Sequence, residues 1–275
     1  GKLWFATSGD TTVRTITTAG TIASVTTIPW KTGLPSELAA GPDGNVWFET
    51  CAGVNAGVAD EAFGYISPAT GNKTTLYSGR VNHGDIRDIV PGPDGNMWFL
   101  ADGGIERVTE GNMLSVFPVG VNQPVGMVSK GKNLWFIGQF PPSLNEIGTD
   151  GTPMHTFTPS PASTVPLSLI VGADGNFYFI DFSANTDVVE MTPTGAELRF
   201  PTSGTPERLV LGPDGAIWVA GVGTLGRLSI VGNVGTWTQY SIPNAGNDII
   251  NSIVVGPDGA FWMAGSSNKI WRAAL

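Results

Sequence analysis

Residues 92–99 read GPDGNMWF, and this motif indicates the fold of the chain. Its Pro-Asp-Gly core predicts a tight turn, because Pro presets φ, Asp bonds back to the local backbone and Gly accepts a positive φ. Apolar residues stand on both sides of the turn, so the stretch predicts a β-hairpin. The neighbouring aromatics Trp98 and Phe99 then point to opposite faces of the sheet, and both faces must be covered.

The same design recurs along the whole chain. The other copies are GKLWF (1–5), GPDGNVWF (41–48), GKNLWF (131–136), GADGNFYF (172–179), GPDGAIWV (212–219) and GPDGAFWM (256–263). The anchoring aromatics are Trp4, Trp47, Trp98, Trp135, Tyr178, Trp218 and Trp262, separated by 37 to 51 residues. A period of about 40–50 residues is typical of a four-stranded propeller blade. We therefore predict an all-β fold, a seven-bladed β-propeller forming a single domain over residues 1–275.

Each blade is predicted to have four antiparallel strands. The third strands are predicted at 64–67, 105–109, 188–192, 226–229 and 269–272, and the outer strands at 73–77, 113–118, 154–158, 197–201 and 236–242. The first blade is predicted to lack its inner strand and the last blade its outer strand. Two explanations stay open, a truncated chain or two incomplete blades that abut.

Composition excludes several classes of protein. The chain of 275 residues has 14 Lys and Arg against 23 Asp and Glu, a net charge of −9, which disfavours a nucleic-acid partner. Cys51 is the only cysteine, so an intrachain disulfide and a Cys-rich zinc site are excluded. No apolar run reaches the roughly 18 residues of a membrane span. Scarce charge with abundant Thr, Gly and Ser favours a secreted, cell-surface or periplasmic protein, which we expect to be a monomer.

The repeat resembles that of the virginiamycin B lyase-like propellers. The resemblance rests on GPDGN-x-WF, followed by third strands such as NKIWR (268–272) and GIERVT (104–109), and it spans the whole chain. It implies an elimination that opens the ester linkage of a cyclic peptide antibiotic. A histidine and a glutamate would carry the proton transfers, and a magnesium ion would stabilise the developing charge.

The positions that the resemblance assigns to catalysis carry other residues here. Glu207 and Asn251 stand where the family has histidines, and Ser266 stands where it has the glutamate. Asn does not accept a proton near neutral pH, and Ser is a poor substitute for a carboxylate on magnesium. The two histidines do not replace them, since His155 is predicted in an outer strand and His83 in a loop entering blade three.

Loops that enter the inner strands of a propeller converge at one end, where ligands bind. The two residues before the buried Leu, Ile or Met of each inner strand hold five charges, whereas the 13% charged fraction of the chain predicts fewer than two in twelve positions. Those charges are Glu37, Arg87, Asp88, Glu207 and Arg208, with Asn251 in the last blade and the carboxylates Glu49 and Asp181 following nearby second strands. They predict either ion pairs that hold blades in register or a site for a polar ligand, with arginines clamping a carboxylate.

Three functions stay open on this basis. The leading one is a non-lyase recognition module that binds a small molecule or carbohydrate at the charged mouth. The second is a lyase, of streptogramin or polysaccharide type, with Glu207 or Asp88 as base; magnesium belongs to this reading only. The third is an extracellular scaffold or adhesin. The Asp-Gly-Asn triplets are interpreted as turns rather than calcium loops, because the further ligands of such a loop are missing.

Overall fold

A computed structural model of the chain describes residues 1–7, 10–28, 34–51, 62–78, 86–109, 113–183 and 186–275. Within these ranges the regular structure consists of twenty-six β-strands and no helix. The strands form seven consecutive antiparallel sheets, five with four strands and two with three. The predicted all-β, seven-bladed class is therefore confirmed.

The blades follow the chain in order. Blade 1 contains β1 (Lys2–Phe5), β2 (Thr12–Thr17) and β3 (Ile22–Thr27), and blade 2 contains β4 (Leu34–Ala40), β5 (Val46–Cys51), β6 (Ala62–Ile66) and β7 (Lys73–Ser78). Blade 3 contains β8 (Ile86–Pro91), β9 (Met97–Ala101), β10 (Gly104–Val108) and β11 (Leu114–Phe117). Blade 4 contains β12 (Asn122–Lys130), β13 (Asn133–Phe140), β14 (Pro142–Gly148) and β15 (Pro153–Phe157).

The remaining blades complete the series. Blade 5 contains β16 (Pro166–Val171), β17 (Phe177–Asp181), β18 (Asp187–Met191) and β19 (Glu197–Pro201). Blade 6 contains β20 (Pro206–Leu211), β21 (Ile217–Gly221), β22 (Thr224–Val231) and β23 (Val234–Ser241), and blade 7 contains β24 (Ile250–Val255), β25 (Phe261–Gly265) and β26 (Ile270–Ala273). The three-stranded sheets are the first and the last, as predicted.

The chain divides into two compact units, and the boundary falls in blade 4. Unit 1 comprises residues Gly1–Leu134 and Ile147–Pro153, and unit 2 comprises Trp135–Glu146 and Met154–Leu275. In unit 1 the rings of Phe63 and Phe99 pack 4.8 Å apart between blades 2 and 3. In unit 2 the rings of Trp218 and Phe261 pack 4.9 Å apart between blades 6 and 7. Aromatic contacts between successive sheets therefore supply the core of each unit. The single-domain organisation stays a prediction.

The repeated turn has a second role besides reversing the chain. Asp94 accepts the backbone N–H of Asn96 at 3.2 Å, which closes the turn, and it accepts the indole N–H of Trp98 at 2.9 Å. A Cβ at Gly92 would lie 2.2 Å from the Trp98 ring, so only glycine fits there. The same aspartate-to-indole bond recurs at Trp47, Trp218 and Trp262. The motif thus joins each turn to its blade's core, which supports the structural interpretation of the Asp-Gly-Asn triplets.

Among the described residues, no helix has the length and apolar character needed to cross a bilayer.

Candidate functional site

The inner strands of unit 2 each carry one residue outside the sheet register. The pairing of β20 with β21 shifts around Glu207, and that of β24 with β25 shifts around Asn251. In β16 the shift falls around Ser168, which has a positive φ of 56°. A β-bulge redirects the side chain of its extra residue. Bulges therefore present these three side chains from β16, β20 and β24, which are neighbours in that order.

A hydrogen bond fixes the first two of these strands to one another. The backbone N–H of Leu209 in β20 donates to Oγ of Ser168 in β16 at 2.9 Å. Pro166, at the start of β16, receives at its carbonyl a hydrogen bond from the Gln139 side chain of β13 at 3.0 Å. Side chain to backbone bonds of this kind hold consecutive inner strands of unit 2 in fixed positions. The group comprising Ser168, Glu207, Arg208 and Asn251 is called the inner row below.

Glu207 is the chemically distinctive member of the inner row. Its side chain is half-buried, and within the described part of the chain no hydrogen bond is recorded to its carboxylate. Burial raises the pKa of Glu207, although the positive charge of Arg208 opposes the shift. Arg208 donates from Nη1 to the carbonyl oxygen of Glu207 at 2.9 Å, which places the guanidinium beside the bulge. The carboxylate thus keeps acceptor capacity for an incoming group.

In the last blade, Ser266 stands where the resemblance assigns a glutamate, and it is hydrogen-bonded to an aspartate. Ser266 donates to Oδ1 of Asp248 at 3.3 Å and accepts the N–H of Ile249 at 3.2 Å. Asp248 also accepts from Ser267 at 2.6 Å and lies 3.5 Å from Nζ of Lys269. The hydrogen bond from Ser267 has the largest effect on the pKa of Asp248 and lowers it; burial opposes this shift, and the charge of Lys269 adds to it.

The donor set does not fit magnesium, because a lysine ammonium already occupies the side of the only carboxylate in this loop. Within the described residues, no cluster of three His, Cys, Asp or Glu side chains could hold a metal ion. Sequence reasoning missed Asp248 because it lies in the loop before β24, outside the repeat motif.

The predicted residues of unit 1 are engaged in structural contacts. Arg87, the bulge residue of β8, forms a two-pronged ion pair with Asp102, with both N···O distances at 2.9 Å. Asp88 accepts the backbone N–H of Ile89 at 2.8 Å and that of Met127 in β12 at 2.7 Å. Asp88 therefore ties blade 3 to the next inner strand, as Ser168 does in unit 2.

Two further carboxylates of unit 1 lie in blade 2. Glu37 is exposed on β4 and pairs in register with Glu49 of β5. Glu49 is fully buried and accepts a hydrogen bond from the hydroxyl of Ser36. Ser36 is the residue that the register shift of β4 leaves unpaired. The bulge residue of blade 2, Ser36, thus hydrogen-bonds to the second strand of its own blade.

Asp181 belongs to a buried polar network rather than to the inner row. It accepts the N–H groups of Val165 and Ser183, both at 3.0 Å, and lies 2.7 Å from Nη1 of Arg199. Burial has the largest single effect and opposes ionisation, but the hydrogen bonds from Arg199, Val165 and Ser183 together outweigh it, so the pKa of Asp181 is lowered. Arg199 contacts Glu197 as well, at 2.6 Å, and so joins β17 to the outer strand β19. The network stabilises blade 5, and the sequence did not reveal Arg199 as its centre.

The histidines stand apart from the inner row. His155 lies in the outer strand β15, as predicted, with Nδ1 at 2.5 Å from Oε2 of Glu146. The His155 ring is stacked on Phe157 at a centroid distance of 5.9 Å. His83 lies outside the described residues.

Comparison with known proteins defines first the class of protein. A streptogramin B lyase structure is 23% identical with a TM-score of 0.83, and the match covers 100% of this chain and 90% of that one. A catalytically inactive histidine-to-alanine variant of virginiamycin B lyase from Staphylococcus aureus, with quinupristin, is 22% identical with a TM-score of 0.84 and coverage of 100% and 92%. These likenesses show the fold, a seven-bladed β-propeller.

The sequence itself defines the family. Residues 1–228 match the model of the virginiamycin B lyase family, so this chain belongs to that family. A more distant structural neighbour is the extracellular domain of a putative one-component system from B. thetaiotaomicron, 14% identical with a TM-score of 0.68 and coverage of 98% and 42%. No curated protein sequence matches the chain.

Proposed function

We propose that this chain is a non-lyase recognition module that binds a small polar ligand, a carbohydrate by preference, at the inner row. The observation that supports the proposal is Glu207, a half-buried carboxylate with raised pKa and open acceptor capacity at a position that the resemblance assigns to histidine. A glutamate there changes the group from an aromatic base into a pure acceptor when ionised.

The chemistry of the inner row suits hydroxyl groups. Glu207 accepts hydrogen bonds, Arg208 donates them, and the Asn251 amide does both. Asn251 is exposed on β24, and its bulge directs it away from the sheet pairing. Sugars present vicinal hydroxyls that need acceptors and donors side by side, and an acidic sugar adds a carboxylate that a guanidinium binds in two-pronged fashion. A family member with these three side chains is thus equipped to hold a ligand without proton transfer.

The ligand proposal is tested by thermal shift with a panel of neutral sugars and uronic acids. We expect one member to raise the melting temperature of the unmodified chain, and Arg208→Ala or Glu207→Gln to abolish that rise. Arg87→Ala is the matched control, because its guanidinium is occupied by Asp102 in the other unit. A panel without any shift, or a shift that survives both inner-row substitutions, would contradict the proposal.

A lyase acting through Glu207 is the second candidate, favoured by one observation. A general base works best with a pKa near the working pH, and burial shifts the pKa of Glu207 in that direction. The guanidinium of Arg208 would then stabilise an enolate or oxyanion. The lyase hypothesis requires catalytic turnover by the unmodified chain. Glu207→Gln should abolish this turnover and leave the melting temperature unchanged. Opening of the quinupristin ester by the unmodified chain would favour it over the first proposal.

We further propose a location for the protein. The extracellular domain of a putative one-component system shares the fold, and scarce charge favours an exported protein, which supports a secreted, cell-surface or periplasmic location. That the chain is a monomer stays a prediction. Light scattering at micromolar concentration and fractionation of the native host test these two assignments separately.

A further inference from the structure

Blade 5 departs from blades 6 and 7 at the end opposite to Ser168. In blade 6, Asp214 accepts the indole N–H of Trp218 at 2.9 Å and an ion-pair hydrogen bond from Nε of Arg227 at 2.8 Å. Blade 7 repeats this arrangement, with Nε of Arg272 at 2.7 Å from Asp258. In both blades the guanidinium also lies over the tryptophan ring, at 5.9 and 6.0 Å from its centroid. In each of these blades, the turn aspartate, the tryptophan ring and the arginine thus form one cluster.

In blade 5 the arginine of this cluster is replaced by a carboxylate. Tyr178 takes the place of tryptophan and donates its hydroxyl to Oδ2 of Asp174 at 2.8 Å. Directly across from Tyr178 in the sheet stands Glu190, at the register position that Arg227 holds opposite Trp218. Glu190 is only 7% exposed and accepts from the Asn176 side chain at 2.6 Å. The same Asn176 amide also donates to Oδ2 of Asp174 at 2.9 Å, so two carboxylates stand where blades 6 and 7 have one carboxylate and one cation.

No cation of the chain compensates for this reversal within the described residues. No Lys or Arg there forms an ion pair with Asp174 or Glu190, and Arg199 of the same blade is bound to Asp181, Asp187 and Glu197. The local field is strong, since burial and then the neighbouring carboxylates raise the pKa of Tyr178. The Tyr178 hydroxyl consequently stays protonated and donates.

A cleft of about 330 Å³ opens beside Asp174 and Tyr178, between blades 5 and 6 of unit 2, and the buried Glu190 lies outside its lining. Asp174 and Tyr178 form its polar side, and Ile217, Leu228 and Ile230 form its apolar side. This volume lies at the low end of ligand pockets and suits one long side chain. The hairpin that follows Ile230 exposes Val231 and Val234 by 78% and 69%, which extends the apolar side outward.

We propose that this cleft receives an arginine side chain from a partner protein, with its guanidinium against Asp174, in the field of the nearby buried Glu190, and its methylene stem against Ile217 and Leu228. The internal repeats show which group fits, because two blades of the same unit hold a guanidinium against the equivalent aspartate. Arginine is preferred to lysine, since its planar fork matches the two oxygens of a carboxylate and its stem packs on apolar surface. This site is separate from the inner row and does not depend on the proposed function.

The test uses N-acetyl-arginine methylamide as probe, followed by ¹H–¹⁵N NMR of the intact chain. We expect saturable shifts of the Asn176 side-chain amide and of residues 174–178, with a Kd at least tenfold lower than that of the citrulline analogue. Citrulline has nearly the same shape but no charge. Equal Kd values for the two probes, or shifts confined to other blades, would overturn the proposal without any substitution being made.

Two substitutions of Glu190 sharpen the test. Glu190→Gln should weaken probe binding by about tenfold, whereas Glu190→Arg should abolish it, because the chain would then supply its own guanidinium as blades 6 and 7 do. Asp102→Asn, which removes one exposed charge in unit 1, is the control for net charge and should leave the Kd unchanged. Undiminished binding by Glu190→Arg, or loss in the control, contradicts the site. Displacement of the probe by 1 mM calcium but not by the lysine analogue would assign the carboxylates to a metal ion instead.

Discussion

Asp88 in unit 1 and Glu207 in unit 2 occupy neighbouring positions of the inner-strand repeat and have opposite surroundings. Asp88 accepts two backbone N–H groups and thereby joins blade 3 to β12. Glu207 has no such bond in the described structure and is only partly withdrawn from water. This comparison shows that the position of a residue in the repeat determines where its side chain lies but not whether its role is structural. The available partner decides between a structural and a binding role.

Glu106 in blade 3 extends this comparison to a carboxylate that, among the described residues, has no hydrogen-bond partner and is also shielded from solvent. It is 1% exposed, and both of its oxygens lack a hydrogen-bond partner within the described part of the chain. Burial raises its pKa to about 7, from 4.5. Below pH 4.5 the folded and unfolded states are both protonated, and stability falls as the pH rises from there through about 7.

The largest expected effect is therefore that of Glu106→Gln. At pH 8 we expect it to stabilise the chain by about 3 kcal/mol, because a shift of one pKa unit corresponds to about 1.4 kcal/mol. At pH 4 the gain should vanish. Urea unfolding at both pH values measures this, with Asp102→Asn as the exposed control. An equal effect at the two pH values would show that the pKa of Glu106 does not differ between the folded and the unfolded chain.

Asp88→Ala should have the next largest effect. It leaves the N–H groups of Ile89 and Met127 without their acceptor, and a lost partner of this kind costs about 1–3 kcal/mol. Thermal unfolding should show a lower melting temperature, and hydrogen exchange should show faster exchange at Met127. Asp88→Asn, which keeps an acceptor oxygen, should recover part of the loss. A neutral Asp88→Ala would remove the contrast with Glu207.

Glu207→Gln should change stability by less than about 0.5 kcal/mol, because a partly exposed group without hydrogen bonds holds no structure together. Its effect is expected on ligand binding alone. The check is an unchanged melting curve in the absence of ligand, combined with loss of the ligand-induced shift. If the melting temperature falls as far as in Asp88→Ala, the carboxylate is structural and the inner row is not a binding site.

Arg87→Ala should have a small effect on stability, below about 1 kcal/mol and decreasing with salt. The pair with Asp102 is solvent-exposed, so water and ions screen it. Unfolding at 50 mM and 500 mM sodium chloride measures the difference. A large, salt-independent loss would place Arg87 among the structural residues, beside Asp88.

The sequence predicted the blades well because their chemistry is local. The turn of Asp94 and the indole of Trp98 lie four residues apart, so one motif specifies hairpin, hydrogen bond and core together. It predicted the inner row less completely, because the partners of Arg87 and Asp88 come from Asp102 and Met127, at separations that no motif encodes. The reversed charge at Glu190 was visible in principle. Aligning the third strands of blades 5, 6 and 7 places it with Arg227 and Arg272.

The bulges of the inner strands have an evolutionary consequence. A residue that is left out of the ladder is not selected for its fit to a neighbouring strand, so its chemistry changes without disturbing the sheet. This separation suits a chain that shares the fold of a virginiamycin B lyase at 22% identity and carries Glu207 and Asn251 at two of its unpaired positions. Specificity in such a scaffold drifts at a few unpaired sites, and stability is maintained elsewhere.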